Sequence, residues 1–210
     1  MEQDKREFII HTLMRPDFIV DAERKLLLKE EEESGKSELH VHLLSDANLV
    51  IANVDQKHTE LFFFQNEKAK SMYKRVDHMI FERQKDGRWK LHLIEMKGSV
   101  GEPKWVEIKG KFRASYLLAQ ALAGMLELMI SETVMYTTFE RVEFAYSDTM
   151  PSARRSRLGE TPVCMREEWN GRRFGLNFGM RIPFRHIPVP MKRNRDGILV
   201  GNLEEREAYE

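Results

Sequence analysis

The chain lacks the features that mark secreted and membrane-spanning proteins. It contains a single cysteine, Cys164, and therefore cannot form an internal disulfide. Its longest apolar stretch, residues 116–130, is interrupted by Gln120 and Glu127 and is too short to cross a bilayer. The first ten residues, MEQDKREFII, lack the apolar core of a signal peptide. We therefore expect a cytoplasmic protein without a membrane partner.

The chain also lacks an overall excess of charge of either sign. Its 34 lysine and arginine residues balance 34 aspartate and glutamate residues. The distribution is nevertheless uneven, because residues 1–70 contain 10 basic and 15 acidic residues, whereas residues 151–195 contain 11 basic and 3 acidic residues. The basic segment could bind phosphates or could form a solvated surface paired with the acidic N-terminal part. Its candidate nucleic-acid-binding residues are Arg154, Arg155, Arg172 and Arg173.

What the chain does contain is enough apolar material for one folded domain. Of its 210 residues, 41% are hydrophobic and 10% are aromatic, and no internal repeat or low-complexity linker divides them. We predict a core domain over residues 1–150 with an N-terminal helical or strand extension. Residues 151–210 are predicted to form a basic C-terminal extension that packs on this core or projects from it.

Apolar spacing predicts the elements of the N-terminal half. Residues 3–14 and 17–32 are predicted to form two helices, although residues 25–29 could instead open a hairpin. Short β-branched or aromatic segments separated by polar turns then predict antiparallel strands at residues 39–43, 49–54 and 61–64.

Residues 75–83 and 89–97 predict a hairpin, because the Asp86-Gly87 pair between them tolerates the positive φ angles of tight turns. If the turn contains three residues, Asp77 lies directly opposite Glu95, and their Cβ atoms are roughly 5 Å apart. A two-residue turn would shift the register by one and move Asp77 to the other face of the sheet.

The segment after this hairpin predicts a crossover. Pro103 and the apolar spacing from Trp105 to Ile130 predict a long helix, and residues 139–146 predict a further strand. A strand, a long helix and a second strand form a βαβ unit with parallel strands. The predicted fold class is therefore α/β (or α+β), with a mixed central sheet flanked by helices. This sheet combines an antiparallel meander, a crossover helix and a further parallel strand.

The end of the second hairpin strand, Glu95-Met96-Lys97, has an unusual charge pattern. An acidic residue two positions before a lysine occurs five times in the chain, at residues 23–25, 55–57, 95–97, 102–104 and 107–109. Asp55 and Lys57 also follow a strand, but no facing strand offers them a second acid. Only Glu95 and Lys97 end a strand, precede a helix and have a hairpin partner that carries an acid.

Asp77, Glu95-x-Lys97 and the long helix that follows resemble the core of the PD-(D/E)XK nuclease superfamily, which includes restriction endonucleases. The resemblance covers about residues 39–147 and implies a restriction-endonuclease-like fold. It implies a metal-dependent nuclease, namely a Mg-dependent endonuclease, that hydrolyses phosphodiester bonds in nucleic acid, with DNA favoured over RNA as the substrate. The catalytic residues would be Asp77, Glu95 and Lys97, and a further acid, Glu60 or Glu67, would join them. Val76 replaces the proline of the family pattern.

The implied chemistry suits these side chains. Asp77, Glu95 and a backbone carbonyl, that of Met96, would form a hard oxygen site for Mg²⁺ or Mn²⁺. Lys97 would orient the attacking water or stabilise developing negative charge. A homodimer or a partner subunit is compatible with such a domain. A non-catalytic nucleic-acid or protein interaction module on the same fold is the alternative, in which the charges form a structural network.

Two further regions are candidates for nucleic-acid contact. On the predicted helix Lys109, Arg113, Tyr116 and Gln120 fall within about 60° of one another and could face a phosphate backbone. Alternatively, Tyr116 belongs to the core and the basic pair is solvated. Residues 172–190 alternate basic, aromatic and small side chains, a pattern that could stack on bases. The same segment could form an edge strand or arm limited by its prolines, or a dimerisation arm.

Overall fold

The computed structural model describes residues 4–32, 35–56, 72–144 and 165–204. Within these ranges the chain forms a mixed α/β structure in which strands predominate, and the predicted mixed class with a large mixed sheet is confirmed at that level. The helices are α1 (Lys5–Phe8), which continues as a π-helical turn (Ile9–Leu13), α2 (Glu102–Met125) and α3 (Met165–Trp169). The strands are β1 (Val20–Ala22), β2 (Lys25–Glu32), β3 (Gly35–His42), β4 (Asn48–Ile51), β5 (His78–Arg83), β6 (Trp89–Glu95), β7 (Ser99–Gly101), β8 (Ile130–Phe139), β9 (Arg141–Glu143), β10 (Gly175–Asn177), β11 (Arg181–Pro183), β12 (Arg185–Arg193) and β13 (Leu199–Glu204).

Nine of these strands form one sheet in the order β1-β4-β5-β6-β8-β12-β13-β3-β2. Strand β5 is antiparallel to both β4 and β6. Strand β6 pairs with β8 in parallel, and α2 lies between these two strands in the chain. Strand β12 is parallel to β8, and β13 is parallel to β3. Two small sheets, β7 with β9 and β10 with β11, complete the strand pairing.

The turn between β5 and β6 sets the register on which the candidate site depends. His78 pairs with Ile94, and Arg83 pairs with Trp89 at the other end of the ladder. The amide of Gln84 donates to the carbonyl of Arg88 at 2.8 Å, which leaves three residues in the turn, and Gly87 has a φ of 80°. The predicted three-residue register is thereby confirmed, and it places Asp77 opposite Glu95.

Strand β6 is buried along its whole length because both faces of the sheet are covered. On one face Leu91 and Leu93 share a core with Ile108 and Phe112 of α2. On the other face Ile94 shares a second core with residues of the folded-back half of the sheet, namely Leu28, Leu39, Val41, Leu199 and Leu203. A strand covered on both sides carries its end into the interior, so the charged residues that follow Ile94 are also buried.

The prediction of a helix over residues 17–32 is wrong, since β1 and β2 occupy this segment. Leu28 is 3% exposed whereas Leu27 is 41% exposed, and this alternation is typical of a strand with one buried face. Strand β2 pairs with β3 in an antiparallel hairpin, as the alternative prediction for residues 25–29 allowed. The strand predicted at residues 61–64 lies outside the described residues.

The crossover is displaced from its predicted position. Helix α2 ends at Met125 rather than Ile130, and Glu127 adopts a left-handed backbone with a φ of 55°, which stops the helix. The strand that pairs with β6 is β8, over residues 130–139. A strand does lie in the predicted range 139–146, namely β9, but it pairs with β7, so its prediction as the partner of the second hairpin strand is wrong. The run of threonine, valine and aromatic residues in β8 favours a strand, which outweighs the helical spacing extrapolated from α2.

The C-terminal part of the chain contributes strands to the main sheet. Strand β12 lies between β8 and β13, so the edge strand that was one alternative for residues 172–190 is wrong for the part from residue 185 onward. Strands β10 and β11, in the first part of this segment, pair only with each other. The prolines of β12, Pro188 and Pro190, pair only toward β8, and β13 joins β12 at residues 191–193, beyond both prolines. None of the helices in the described part of the chain is long and apolar enough to span a membrane.

Candidate active site

The backbone around Asp77 is held from two sides. The amide of Val76 donates to Ser115 Oγ of α2 at 2.9 Å, and the carbonyl of Asp77 accepts from the amide of Val54 at 2.8 Å. Asp77 is 1% exposed, and its side-chain Oδ2 atom accepts a hydrogen bond from the amide of Met96 at 2.5 Å. A buried carboxylate anchored in this way has little freedom to change orientation.

Glu95 and Lys97 complete the predicted trio on the same face of the sheet. Lys97 Nζ lies 3.3 Å from Glu95 Oε1 and 3.7 Å from Asp77 Oδ2. The backbone of Lys97 is fixed by Thr138 of β8, whose hydroxyl accepts from the Lys97 amide at 2.8 Å and donates to the Lys97 carbonyl at 3.2 Å. The structure therefore brings together the three residues predicted to be catalytic. Met96 contributes its amide to this cluster, while its side chain packs in the core on the opposite face.

A second lysine enters the cluster from α2. Lys111 Nζ lies 2.7 Å from Glu95 Oε1 and 3.8 Å from Asp77 Oδ1. Lys111 is not among the site residues predicted from the sequence. A signal was present, because it lies three residues after buried Ile108 and four before buried Ser115, on the apolar stripe of the helix.

The electrostatics of Glu95 are those of a buried carboxyl group. Burial and, after it, the neighbouring charge of Asp77 raise the pKa of Glu95 to about 7, although Lys97 and Lys111 oppose the shift. Its Oε1 atom faces both ammonium groups, but its buried Oε2 atom has no hydrogen-bond partner among the described residues. An unsatisfied buried carboxylate oxygen is costly and is typical of a site that takes a further ligand.

Asp55, which is not among the predicted site residues, lies beside this cluster. It follows β4, in the turn whose Val54 amide bonds to Asp77. Its side chain is solvent-exposed, yet partial desolvation and the charge of Asp77 raise its pKa, while Lys111 lowers it. The second acid near Asp55 is Asp77, which directly precedes β5, the strand that pairs with β4. The acids predicted to join the site, Glu60 and Glu67, lie outside the described residues.

The donor atoms fit a hard divalent cation. Two buried carboxylates lie on one face, and one of their oxygen atoms has no hydrogen-bond partner in the described structure. Among the described residues, however, no group of three or more histidine, cysteine, aspartate or glutamate side chains is arranged to hold a metal ion. A cation here would need further oxygen ligands from backbone, water or substrate.

The predicted nucleic-acid-binding residues of α2 point away from this cluster. Lys109 Nζ lies 2.7 Å from buried Glu168 Oε2 of α3, and residues two apart on a helix, such as Lys109 and Lys111, do not face each other. Arg113 lines a cavity of about 290 Å³ together with Lys109 and residues of β10 and β11. Gln120 is exposed near the start of β8, beyond the opposite end of the sheet from the cluster.

The arginines predicted for nucleic-acid contact are only partly described. Arg172 and Arg173 are exposed in the turn after α3, and Arg173 has a left-handed backbone with a φ of 61°. Arg173 Nη1 lies 4.0 Å from Glu167 Oε2, and such an exposed ion pair contributes little to stability. Arg154 and Arg155 lie outside the described residues.

A separate polar network crosses the opposite face of β6. His92 Nε2 lies 3.0 Å from Glu82 Oε2, and His92 Nδ1 lies 3.2 Å from the Tyr136 hydroxyl. Glu82 also accepts from the amides of Leu44 and Ser45 and so ties the turn after β3 to the sheet. All three side chains of this network are buried and hydrogen-bonded, so we assign it a structural role.

Comparison of the chain with protein-family models, with curated proteins and with solved structures finds no match. We therefore infer the function from the geometry of Asp77, Glu95, Lys97 and Lys111.

Proposed function

We propose that the chain is a metal-dependent nuclease that hydrolyses phosphodiester bonds, with DNA favoured over RNA as its substrate. The observation that carries this proposal is the placement of Asp77 and Glu95 on one buried face, with Lys97 Nζ within 3.7 Å of both. The resemblance of these residues to the PD-(D/E)XK nuclease superfamily supports the same activity.

Each residue of the cluster has a role in such a reaction. Asp77 and Glu95 would hold Mg²⁺ or Mn²⁺, which when bound lowers the pKa of a water molecule and neutralises charge on the phosphate. The Met96 amide keeps Asp77 in place. Lys97, fixed by Thr138, would offer its ammonium to the negative charge that develops on the phosphate oxygens. Because these groups are buried, their interactions are weakly screened.

A non-catalytic interaction module is the second candidate, and one observation favours it. Lys97 and Lys111 already balance the charges of Asp77 and Glu95, so the described cluster is a complete ion network without any ligand. In that case the network would stabilise the end of β6, and the basic C-terminal segment would bind nucleic acid or protein.

A cleavage assay separates the two candidates. The full chain is incubated with Mg²⁺ or with a chelator on plasmid, linear, single-stranded and RNA substrates. We expect metal-dependent cleavage that falls about 100-fold or more in Asp77→Asn and in Lys97→Ala, because each removes a charge at the reacting phosphate. Control variants with exposed substitutions, Asp21→Asn and Lys192→Ala, should cleave like the wild type.

Thermal melting of each variant verifies that it is folded before it is assayed. Metal-dependent cleavage that survives both Asp77→Asn and Lys97→Ala would contradict the proposed site. Binding of nucleic acid without cleavage of any of the four substrates would favour the interaction module.

A further inference from the structure

Lys111 occupies the space between the two buried carboxylates. We propose, on the basis of the metal site proposed above, that the Lys111 ammonium takes the place of the divalent cation in the metal-free protein and must leave Glu95 before such a cation binds. Lys111 is then a positioning residue that sets the metal affinity of the site.

The geometry gives each lysine a separate oxygen of Asp77. Lys111 Nζ approaches Asp77 Oδ1 at 3.8 Å, whereas Lys97 Nζ approaches Oδ2 at 3.7 Å. Both ammonium groups share Glu95 Oε1, with Lys111 the nearer at 2.7 Å and Lys97 at 3.3 Å. The position that joins the two carboxylates is therefore filled by a cationic group of this chain.

Charge balance requires that one ammonium moves. Two carboxylates and two ammonium groups are neutral together, and all four are buried or nearly so. A divalent cation added to this cluster would place two further positive charges beside the ammonium groups, where low dielectric strengthens repulsion. Release of one lysine from the carboxylates removes most of this repulsion.

The surroundings identify Lys111 as the lysine that moves. Its side chain is 15% exposed, compared with 7% for Lys97, so it lies closer to solvent. Lys97 has its backbone hydrogen-bonded to Thr138 in both directions, directly beside its side chain. Exposed Asp55 interacts electrostatically with Lys111 and offers the released ammonium another carboxylate.

Mn²⁺ binding to the full-length chain tests the inference without relying on activity. Isothermal titration calorimetry and the electron paramagnetic resonance signal of free Mn²⁺ give the affinity. We expect Lys111→Met to bind Mn²⁺ about 10-fold more tightly than the wild type, because no ammonium competes for the carboxylates. Lys109→Met is the matched control, since this lysine lies on the same helix but pairs with Glu168, and its affinity should be unchanged.

A double variant assigns the gain to this site. Lys111→Met combined with Glu95→Gln should lose the tighter binding, because the carboxylate that the cation gains is absent. Lys111→Gln keeps a polar side chain of similar length, and it replaces Lys111→Met in every comparison if the methionine variant does not fold.

The outcomes distinguish failure of this inference from failure of the proposed function. If the wild type binds Mn²⁺ through Glu95 but the folded Lys111 variant binds it equally or more weakly, displacement of Lys111 is overturned and the metal site stands. If neither the wild type nor the Lys111 variant binds Mn²⁺, the inference and the metal-dependent function are both overturned.

Discussion

At the scale of single residues, His186 shows how burial sets a chemical state. Its ring lies among Trp105, Trp169 and Phe174, with ring centroids 4.8 to 5.3 Å away. Its Nε2 atom lies 3.0 Å from Thr137 Oγ1, and its Nδ1 atom lies 2.8 Å from the carbonyl of Trp169. Burial lowers the pKa of His186 to about 4, although the hydrogen bond to the Trp169 carbonyl opposes this shift. The ring is therefore neutral at pH 7.

This lowered pKa predicts a loss of stability in acid. The unfolded chain binds a proton at His186 below about pH 6.5, whereas the folded chain does so only near pH 4, so stability is present above pH 6.5 and is lost as the pH falls through this window. The loss amounts to roughly 3 kcal/mol. Urea denaturation of His186→Gln between pH 4 and 7 should show a shallower pH dependence than the wild type.

The exposed His11 provides the control, because His11→Gln should keep the wild-type slope. Buried His78, whose pKa burial also lowers to about 4, adds a similar pH dependence to every variant and cancels in the comparison. Equal slopes for His186→Gln and the wild type would contradict the assignment.

The residues of the candidate site differ in how far the sequence predicts them. Asp77, Glu95 and Lys97 follow from strand alternation and turn length, which are local properties. Lys111 and Asp55 reach the cluster only because a helix and a neighbouring strand pack there. Which side of α2 faces the cluster depends on which of its residues pack on the sheet. The predicted stripe through Lys109 and Arg113 was based on polar and charged side chains alone, and it lies on a different face of the helix from Lys111.

At the scale of elements, two glycines test the backbone requirements of the turn and the helix. Gly87 has a φ of 80° in the turn between β5 and β6, whereas Gly110 lies inside α2 with open space where a Cβ atom would be. We expect Gly87→Ala to lower the free energy of unfolding by about 1 kcal/mol, because alanine is strained in the left-handed region. Gly110→Ala should raise it by roughly 0.5 to 1 kcal/mol through helix propensity.

Chemical denaturation of the two variants and the wild type measures both effects. If both substitutions raised the free energy of unfolding, or both lowered it, this assignment of backbone conformations would be contradicted. The two substitutions add the same methyl group, so the size of the side chain does not explain an opposite sign.

The sequence predicts the elements whose turns or ends are marked by residues with strong conformational preferences. The hairpin follows from Asp86-Gly87, and the start of α2 follows from Pro103. The mixed apolar spacing of residues 17–32 does not distinguish a helix from strand β2. Leucines 26, 27 and 28 are consecutive, and only pairing with β3 decides which of them is buried. The start of strand β8 is not predicted, because the apolar residues up to Ile130 continue the helical spacing of α2.

At the scale of the whole molecule, the predicted domain boundary at residue 150 divides the strands of the main sheet into two groups. Strands β12 and β13 come after this boundary, yet they lie between β8 and β3. A fragment of residues 1–150 would lack both strands and leave the two halves of the sheet unjoined. We expect this fragment to show no cooperative thermal unfolding transition, since Val189, Met191, Leu199 and Leu203 would be missing from the second core.

Circular dichroism in the near ultraviolet, followed during heating, distinguishes folded from unfolded fragments. A fragment of residues 1–204 retains every described strand and should unfold cooperatively like the complete chain. Cooperative unfolding of residues 1–150 alone would support an independent core domain with an appended C-terminal extension.

The parallel pairing of β13 with β3 also determines when this protein can fold during synthesis. Strand β3 leaves the ribosome well before its partner β13, because about 160 residues separate the paired Leu39 and Gly201. The apolar side chains of β2 and β3 that fill the second core therefore stay uncovered until β13 has been made. Pairing between such distant segments is slow and exposes the intermediate to aggregation. Production of the protein should accordingly depend on chaperones or low temperature.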